Sequence, residues 1–363
     1  MNEANANVMN RKTRNAGIEL LRIVSMISVM VLHVLGQGGV LNAVTRRGAG
    51  YYLLWLLEIM CFFGVTCYGL ISGYVGIDGN YRLTNIVYVW LQVVFYTVII
   101  TVIFAFAVPE SVGTYDLVSM FFPAITGQYW YFSAYMGMFF LIPLVNLGIN
   151  ALKKKYLNAI LVTMVLFFSV LSTIFYADAF NVRYGYSIIW LLTCYFIGAY
   201  MKRFGLFEKI MTWKLWGIFF LCVFATWGFK MIVSGMLSKE REDMLMAYNS
   251  PTVLLMAMVL VVIFARIKMS DTGFIRKAVL RVAPLTFGVY LINTNPYIFA
   301  NLMRDRFTKI AQYPSILAVI SVILNALVIF LICVAIDAVR KLIFDLGRLR
   351  EKLYALENRF ADK

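Results

Sequence analysis

Apolar runs of roughly twenty residues recur along the whole chain, separated by short segments rich in Lys, Arg, Asp, Asn and Gly. A helix rises about 1.5 Å per residue, so roughly twenty residues cross a hydrocarbon layer of about 30 Å. In that layer the backbone must close its own hydrogen bonds, which helices do. The runs predict ten helices, at 18–40, 51–74, 84–108, 129–149, 157–177, 187–201, 213–233, 251–265, 282–303 and 314–339. The sixth and eighth are short, and Asn293, Asn295 and Pro296 interrupt the ninth. Arg11, Lys12 and Arg14 precede the first run in the manner of a signal peptide. That run continues to Val40 without a small-x-small cleavage site, so it reads as an uncleaved first span.

Charge orients the array. With the N-terminus inside, 23 Lys and Arg fall on the cytoplasmic side and 8 on the outer side, while Arg22 and Lys230 lie inside helices. The excess of basic residues inside favours an even number of spans with both termini cytoplasmic. The expectation is an all-α polytopic membrane protein of about ten transmembrane helices. It divides into a cytoplasmic N-terminal segment (1–17), a ten-helix membrane domain (18–339) and an amphipathic C-terminal helix (340–363). In that last segment Leu342, Leu346, Leu349, Leu353, Leu356 and Phe360 alternate at spacings of four and three. Such a seam suits either a homodimer contact through 342–360 or a helix lying on the inner leaflet.

Composition agrees with the pattern and removes alternatives. The 363 residues are 62% hydrophobic and 14% charged, with a mean hydropathy of +0.81, far more apolar surface than one soluble core hides. A net charge of +15 in a soluble chain would suggest nucleic acid, but here the basic residues sit between spans, where topology places them. Five cysteines and a single histidine, with no paired short spacing, predict neither a disulfide framework nor a metal site.

An ionisable residue inside a membrane helix is costly, which makes His33 the first candidate for chemistry. Arg22 lies eleven residues earlier on the same helix face, about 16 Å away along the axis. Glu58, seven residues from the outer end of span two, falls at the depth of His33, roughly 10 Å in by helical rise. A carboxylate there is placed to orient the imidazole. Each has a plainer reading: His33 as polar glue between helices, Glu58 as a carboxylate wet near the outer surface, and Arg22, like Lys230 and Asp337, as a residue reaching water at the membrane surface.

Four motifs in chain order resemble the membrane-bound acyltransferase-3 family: Arg22 and His33 in IELLRIVSMISVMVLHVLG, LISGYVG with Ser72, Gly73 and Tyr74, QYWYFSAYMGMFFLIPLVN with Gln128, Trp130 and Tyr131, and TFGVYLINTNP. Two positions depart from the family's pattern. The loop after the Ser-Gly motif carries one basic residue, Arg82, where members often carry a pair, and Asn293 stands where members often have histidine. Taken alone, Gly69 and Gly73 would also serve close helix packing, and Trp130 and Tyr131 an interfacial belt.

The resemblance implies transfer of an acyl group, acetyl in most members, from cytoplasmic acyl-CoA to a hydroxyl of an extracytoplasmic or lipid-linked glycan. The expected partners are therefore the lipid bilayer, acyl-CoA as donor substrate and the glycan, with no bound cofactor and no nucleic acid. The expected location is the cell membrane. Arg22 and Arg82 would hold the donor's phosphates, and His33, oriented by Glu58, would act as general base or as an acyl-imidazole relay. Ser72, Gly73, Tyr74, Gln128, Trp130 and Tyr131 would line the passage, with Ser72 steadying the oxyanion. The other class of function open to ten apolar helices with few buried charges is transport, as a flippase or exporter of a glycolipid or small solute.

Overall fold

The structure, a computed structural model, describes residues 14–361, and all their side chains but those at 239, 240, 360 and 361. Arg11, Lys12 and Lys363, part of the charge asymmetry, lie outside the described residues, as does most of the segment 1–17. Among the described residues every regular element is helical. The long elements are α1 (Ala16–Leu35), α2 (Ala49–Gly76), α3 (Leu83–Ala107), α4 (Trp130–Ala151), α5 (Lys154–Ile174), α6 (Ile188–Phe204) and α7 (Thr212–Val233). They are followed by α8 (Pro251–Ala265), α9 (Phe274–Val282), α10 (Thr286–Asn293), α11 (Ser315–Leu346) and α12 (Leu349–Ala361).

Eight helical stretches are long and apolar enough to cross a membrane. They are α1 with the short helix Val40–Ala43 after it, α2, α3, α4, α5, α7, α8 with its lead-in from Met244, and α11. The other two predicted spans also form helix. α6 has 17 residues, and the ninth run is divided into α10 and a separate turn beginning at Pro296. The chain is an all-α polytopic membrane protein.

Burial sorts the helices. α6 and α8 are wrapped by other helices, and their buried residues include Trp190, Cys194, Ile197, Met256, Val259 and Val261. α3, α4, α7 and α11 instead expose large apolar side chains such as Phe106, Leu144, Leu221 and Leu331. Bare apolar faces on outer helices suit a lipid solvent. α9 is amphipathic: Phe274 and Ile275 are exposed beside Arg276, Lys277 and Arg281, as expected of a helix lying in the interface.

α1 starts under a clamp. Asn15 caps it, accepting from the N–H groups of Gly17 at 2.9 Å and Ile18 at 3.2 Å, while its amide donates to the Ala265 carbonyl at the end of α8 at 2.9 Å. At its other end α1 stops at Leu35, short of the predicted Val40. Gly36, Gly38 and Gly39 turn the chain there, with Gly39 at φ 85°. The turn is fixed by the Asp305 and Phe307 N–H groups, which donate to the carbonyls of Gln37 at 3.0 Å and Gly38 at 2.9 Å.

Two charged residues expected to reach water do not. Asp337 of α11 is fully buried and paired with Arg340 at 2.7 Å, because Tyr96 and Gln92 of α3 also donate to it and α10 covers it. Lys230 is 3% exposed and held between Asp243 at 2.5 Å and Glu242 at 3.5 Å.

The C-terminal seam is broken at Gly347 and at Arg348, which has φ 48°. α12 folds back on α3: Thr84 donates to Glu357 at 2.7 Å, Tyr354 to Asn85 at 3.0 Å, and Arg82 lies 4.9 Å from the Tyr354 ring centre. Leu342, Leu346 and Leu356 are left exposed.

Candidate functional site

His33 comes from the last turn of α1, two residues before the helix ends, rather than seven residues from its end as the predicted boundary implied. It faces a cavity of about 530 Å³ that Glu58 of α2 also lines. The walls are largely aromatic: Tyr68 from α2, Trp130 and Tyr131 from α4, Tyr186 and Tyr248 from the segments before α6 and α8, and Tyr290 from α10.

The imidazole is hydrogen-bonded to Asn293, and among the described residues no bond joins it to Glu58. His33 Nδ1 donates to Asn293 Oδ1, the last residue of α10. A carbonyl oxygen accepts there, so Nδ1 carries a proton, and in the neutral ring Nε2 is then the nitrogen with the lone pair. Glu58 is 7% exposed, and its Oε2 has no partner among the described residues. It stands in the same cavity as His33 with an unused acceptor. The hydrogen bond seen on the imidazole is thus to Asn293, because α10 is pressed against α1 at this level.

Two features of α10 place Asn293. At Gly288 a Cβ would fall 2.1 Å from Asp337 Cγ, so only glycine lets α10 lie on the buried carboxylate of α11. Beyond it, the Tyr129 hydroxyl donates to the Leu291 carbonyl at 3.1 Å and accepts from the Asn295 amide at 3.0 Å. Tyr129 precedes α4, so the same bonds that fix the end of α10 set Trp130 and Tyr131 at the cavity wall.

Arg22 lies three turns from His33 toward the start of α1. It is 29% exposed on its side chain and 3.7 Å from Glu19, whose tighter partner is Arg14 at 2.8 Å. Between Arg22 and the cavity runs a tyrosine column. Tyr68 donates to the Arg22 carbonyl at 2.7 Å, its ring is 6.4 Å from that of Tyr131, and Tyr131 is 6.4 Å from Tyr135.

A family model described as an acyltransferase domain matches residues 15–337. The chain belongs to the acyltransferase-3 family. No curated protein and no solved structure matches it. Membership makes it a membrane acyltransferase, and the family's motifs acquire distinct physical roles.

The Ser-Gly segment is a packing device. A Cβ on Gly73 would lie 1.8 Å from the Tyr195 carbonyl oxygen, and one on Gly198 would lie 2.0 Å from that of Leu70, so these glycines let α2 and α6 touch. Ser72 spends its hydroxyl on the Tyr68 carbonyl of its own helix at 2.8 Å and does not line the cavity. Tyr74 stacks under Lys202 at 5.0 Å, away from His33. Gln128 is half-buried beside the tie made by Tyr129, with Oε1 lacking a partner among the described residues. Arg82 packs on α12. Of the motif residues, Trp130, Tyr131 and, from the late segment, Phe287, Tyr290 and Thr294 join His33 and Glu58 at the cavity, whereas Ser72, Gly73 and Tyr74 lie in the α2–α6 packing.

Sequence reasoning missed Asn293, Tyr129, Tyr186, Tyr248 and Tyr290 as site residues. Asn293 carried two signals, a polar residue interrupting an apolar run and a departure from the histidine that family members often have there, but neither pointed to His33 as its partner. Tyr129 and Tyr290 lie within quoted motifs but had no role attached, and Tyr186 and Tyr248, near span ends, read equally well as interfacial anchors.

Proposed function

We propose that the protein transfers an acetyl group from cytoplasmic acetyl-CoA to a hydroxyl of an extracytoplasmic or lipid-linked glycan, with His33 as general base. In this reading ten helical segments cross the cell membrane and both termini are cytoplasmic. The observation that carries it is the placement of His33 and Glu58 in one aromatic cavity, with Nδ1 of the imidazole committed to Asn293. Nε2 then takes the proton of the acceptor hydroxyl as its oxygen bonds to the thioester carbonyl carbon. The C–S bond breaks, and the imidazolium returns the proton to the departing thiolate.

Arg22 holds the donor's phosphates by charge-assisted hydrogen bonds, and the thioester arm runs about 16 Å along α1, past Tyr68 and Tyr131, to reach His33. Arg82, on the same side as Arg22 in this topology, adds charge to the donor's approach. The carrier stays at one face of the membrane while the acyl group is used near the other.

Membranes bearing the protein, given acetyl-CoA labelled in the acetyl group, test this directly. Label in glycan with release of one free CoA per acetyl is expected, whereas movement of a glycolipid or solute without CoA release would instead establish a transporter.

A further inference from the structure

A second cavity, of about 430 Å³, adjoins the first and shares Glu58, Phe62, Tyr186 and Tyr248 with it. Its other walls include Trp55 of α2, Tyr176 and Tyr184 of the segment between α5 and α6, and Asp243 ahead of α8. Two shielded polar atoms on these walls have no partner among the described residues, Glu58 Oε2 and the indole Nε1 of Trp55. An acceptor without a donor and a donor without an acceptor, beside one hollow, call for a ligand that supplies both. A hydroxyl does.

Asp243 adds a second carboxylate, one-third exposed and held by Lys230 at 2.5 Å, and the Lys230 ammonium lies 4.3 Å from the Trp55 ring centre. The remaining surface is aromatic, with ring centres 5.3 Å apart in the pair Tyr176 and Tyr184 and 5.0 Å apart in the pair Tyr186 and Tyr248. The segment that presents the first pair is strained. Tyr176, Asn181, Arg183 and Tyr184 all have φ between 48° and 54°, a region that side chains seldom occupy unless their surroundings impose it. Here the imposition is visible: the Tyr248 N–H donates to the Tyr184 carbonyl at 3.1 Å, and Gly185, at φ 98°, leaves no room for a Cβ, which would fall 2.5 Å from that of Tyr248.

Aromatic faces that cover C–H surfaces, beside carboxylates and an N–H that bind hydroxyls, match one chemical class. We propose that the second cavity is a saccharide vestibule. It holds one pyranose ring of the acceptor among these tyrosines and delivers a hydroxyl past Glu58 into the His33 cavity. The assignment rests on the acyl-transfer reading for the fate of that hydroxyl, but not for the binding itself. An alkyl chain would leave Glu58 Oε2 and the indole N–H unanswered, and a free cation would meet the ammonium already beside Asp243.

Saturation-transfer NMR on the purified full-length protein, without donor, tests the vestibule. The probes are the methyl glycosides of glucose, galactose and N-acetylglucosamine, with decanol as an apolar competitor. At least one glycoside is expected to bind. Tyr184→Ala and Asp243→Asn should each weaken that binding about tenfold, equivalent to about 1.4 kcal/mol. Tyr184→Phe, which keeps the ring, should bind like the parent. No glycoside binding, equal binding by Tyr184→Ala and the parent, or displacement by decanol would overturn the proposal. Because no donor is present, loss of the acyl-transfer reading would leave these results standing. Conversely, a failed vestibule would leave His33-dependent transfer intact.

Discussion

Gly288→Ala puts one methyl group where the structure has none to spare. The new Cβ would lie 2.1 Å from both Asp337 Cγ and Oδ1, and ordinary contact begins near 3.4 Å, so about 1.3 Å must be found. Asp337 cannot supply it. Its carboxylate is gripped by Tyr96 at 2.7 Å, by Arg340 at 2.7 and 2.9 Å and by Gln92 at 3.3 Å, on a side chain with no exposure. The displacement therefore falls on α10, which carries Tyr290 two residues on and Asn293 five residues on. Overpacking of this kind costs about 1–3 kcal/mol of stability. A shift of about 1 Å in a catalytic group costs on the order of 10²-fold in rate. Thermal unfolding of the purified variant should show a modest loss, with donor affinity near that of the parent and turnover reduced about 100-fold. Parental turnover and melting temperature together would refute the claim that Gly288 sets the position of Asn293.

Asn293→Leu removes the acceptor that fixes the imidazole and should lower turnover on the order of 10²-fold while leaving donor affinity in place, with Asn293→Asp retaining most activity; equal turnover in the leucine variant would reject the orienting role. Arg22→Ala should weaken acetyl-CoA binding by about 1.5–3 kcal/mol, and Arg22→Lys should recover part of it, keeping the charge without the planar fork. Unchanged affinity would remove Arg22 from the donor site. Burial pushes the Glu242 carboxyl up, but the Gly235 N–H together with Lys230 and Arg46 outweighs it and holds the group below its ordinary 4.5. A depressed carboxylate contributes stability above its ordinary value and loses it as pH falls from 4.5 through the folded value. The melting temperatures of the parent and Glu242→Gln should thus differ at pH 7 and converge under acid; a constant gap would contradict this.

Much of the fold was legible because lipid enforces a simple rule: runs near twenty apolar residues become helices. The rule failed where glycines or buried pairing intervened. Gly36, Gly38 and Gly39 are apolar enough to extend a hydropathy run, yet they end α1 at Leu35 and bring His33 into its last turn. Asp337 looked like a residue near water because its partners Tyr96 and Gln92 are some 240 positions away in sequence. The site was half legible. Arg22 and His33 stand out by charge in an apolar helix, and Glu58 by its depth. Asn293 was visible as a flaw in a span and as a departure from the family's histidine, but not as the partner of His33, since the sequence cannot say that α10 lies against α1. Ser72 was assigned chemistry from its motif, but its hydroxyl is spent within its own helix and the adjacent glycine does the packing.

The division of labour along α1 is the centre of the account, and paired measurements on His33→Ala test it most directly. Acetyl-CoA binding to the purified variant and acetyl transfer by the same preparation should separate. A base acts mainly on the transition state, so donor affinity is expected within about twofold of the parent while transfer is abolished. Transfer at the parental rate, or loss of donor binding in this variant with full binding in Arg22→Ala, would contradict it.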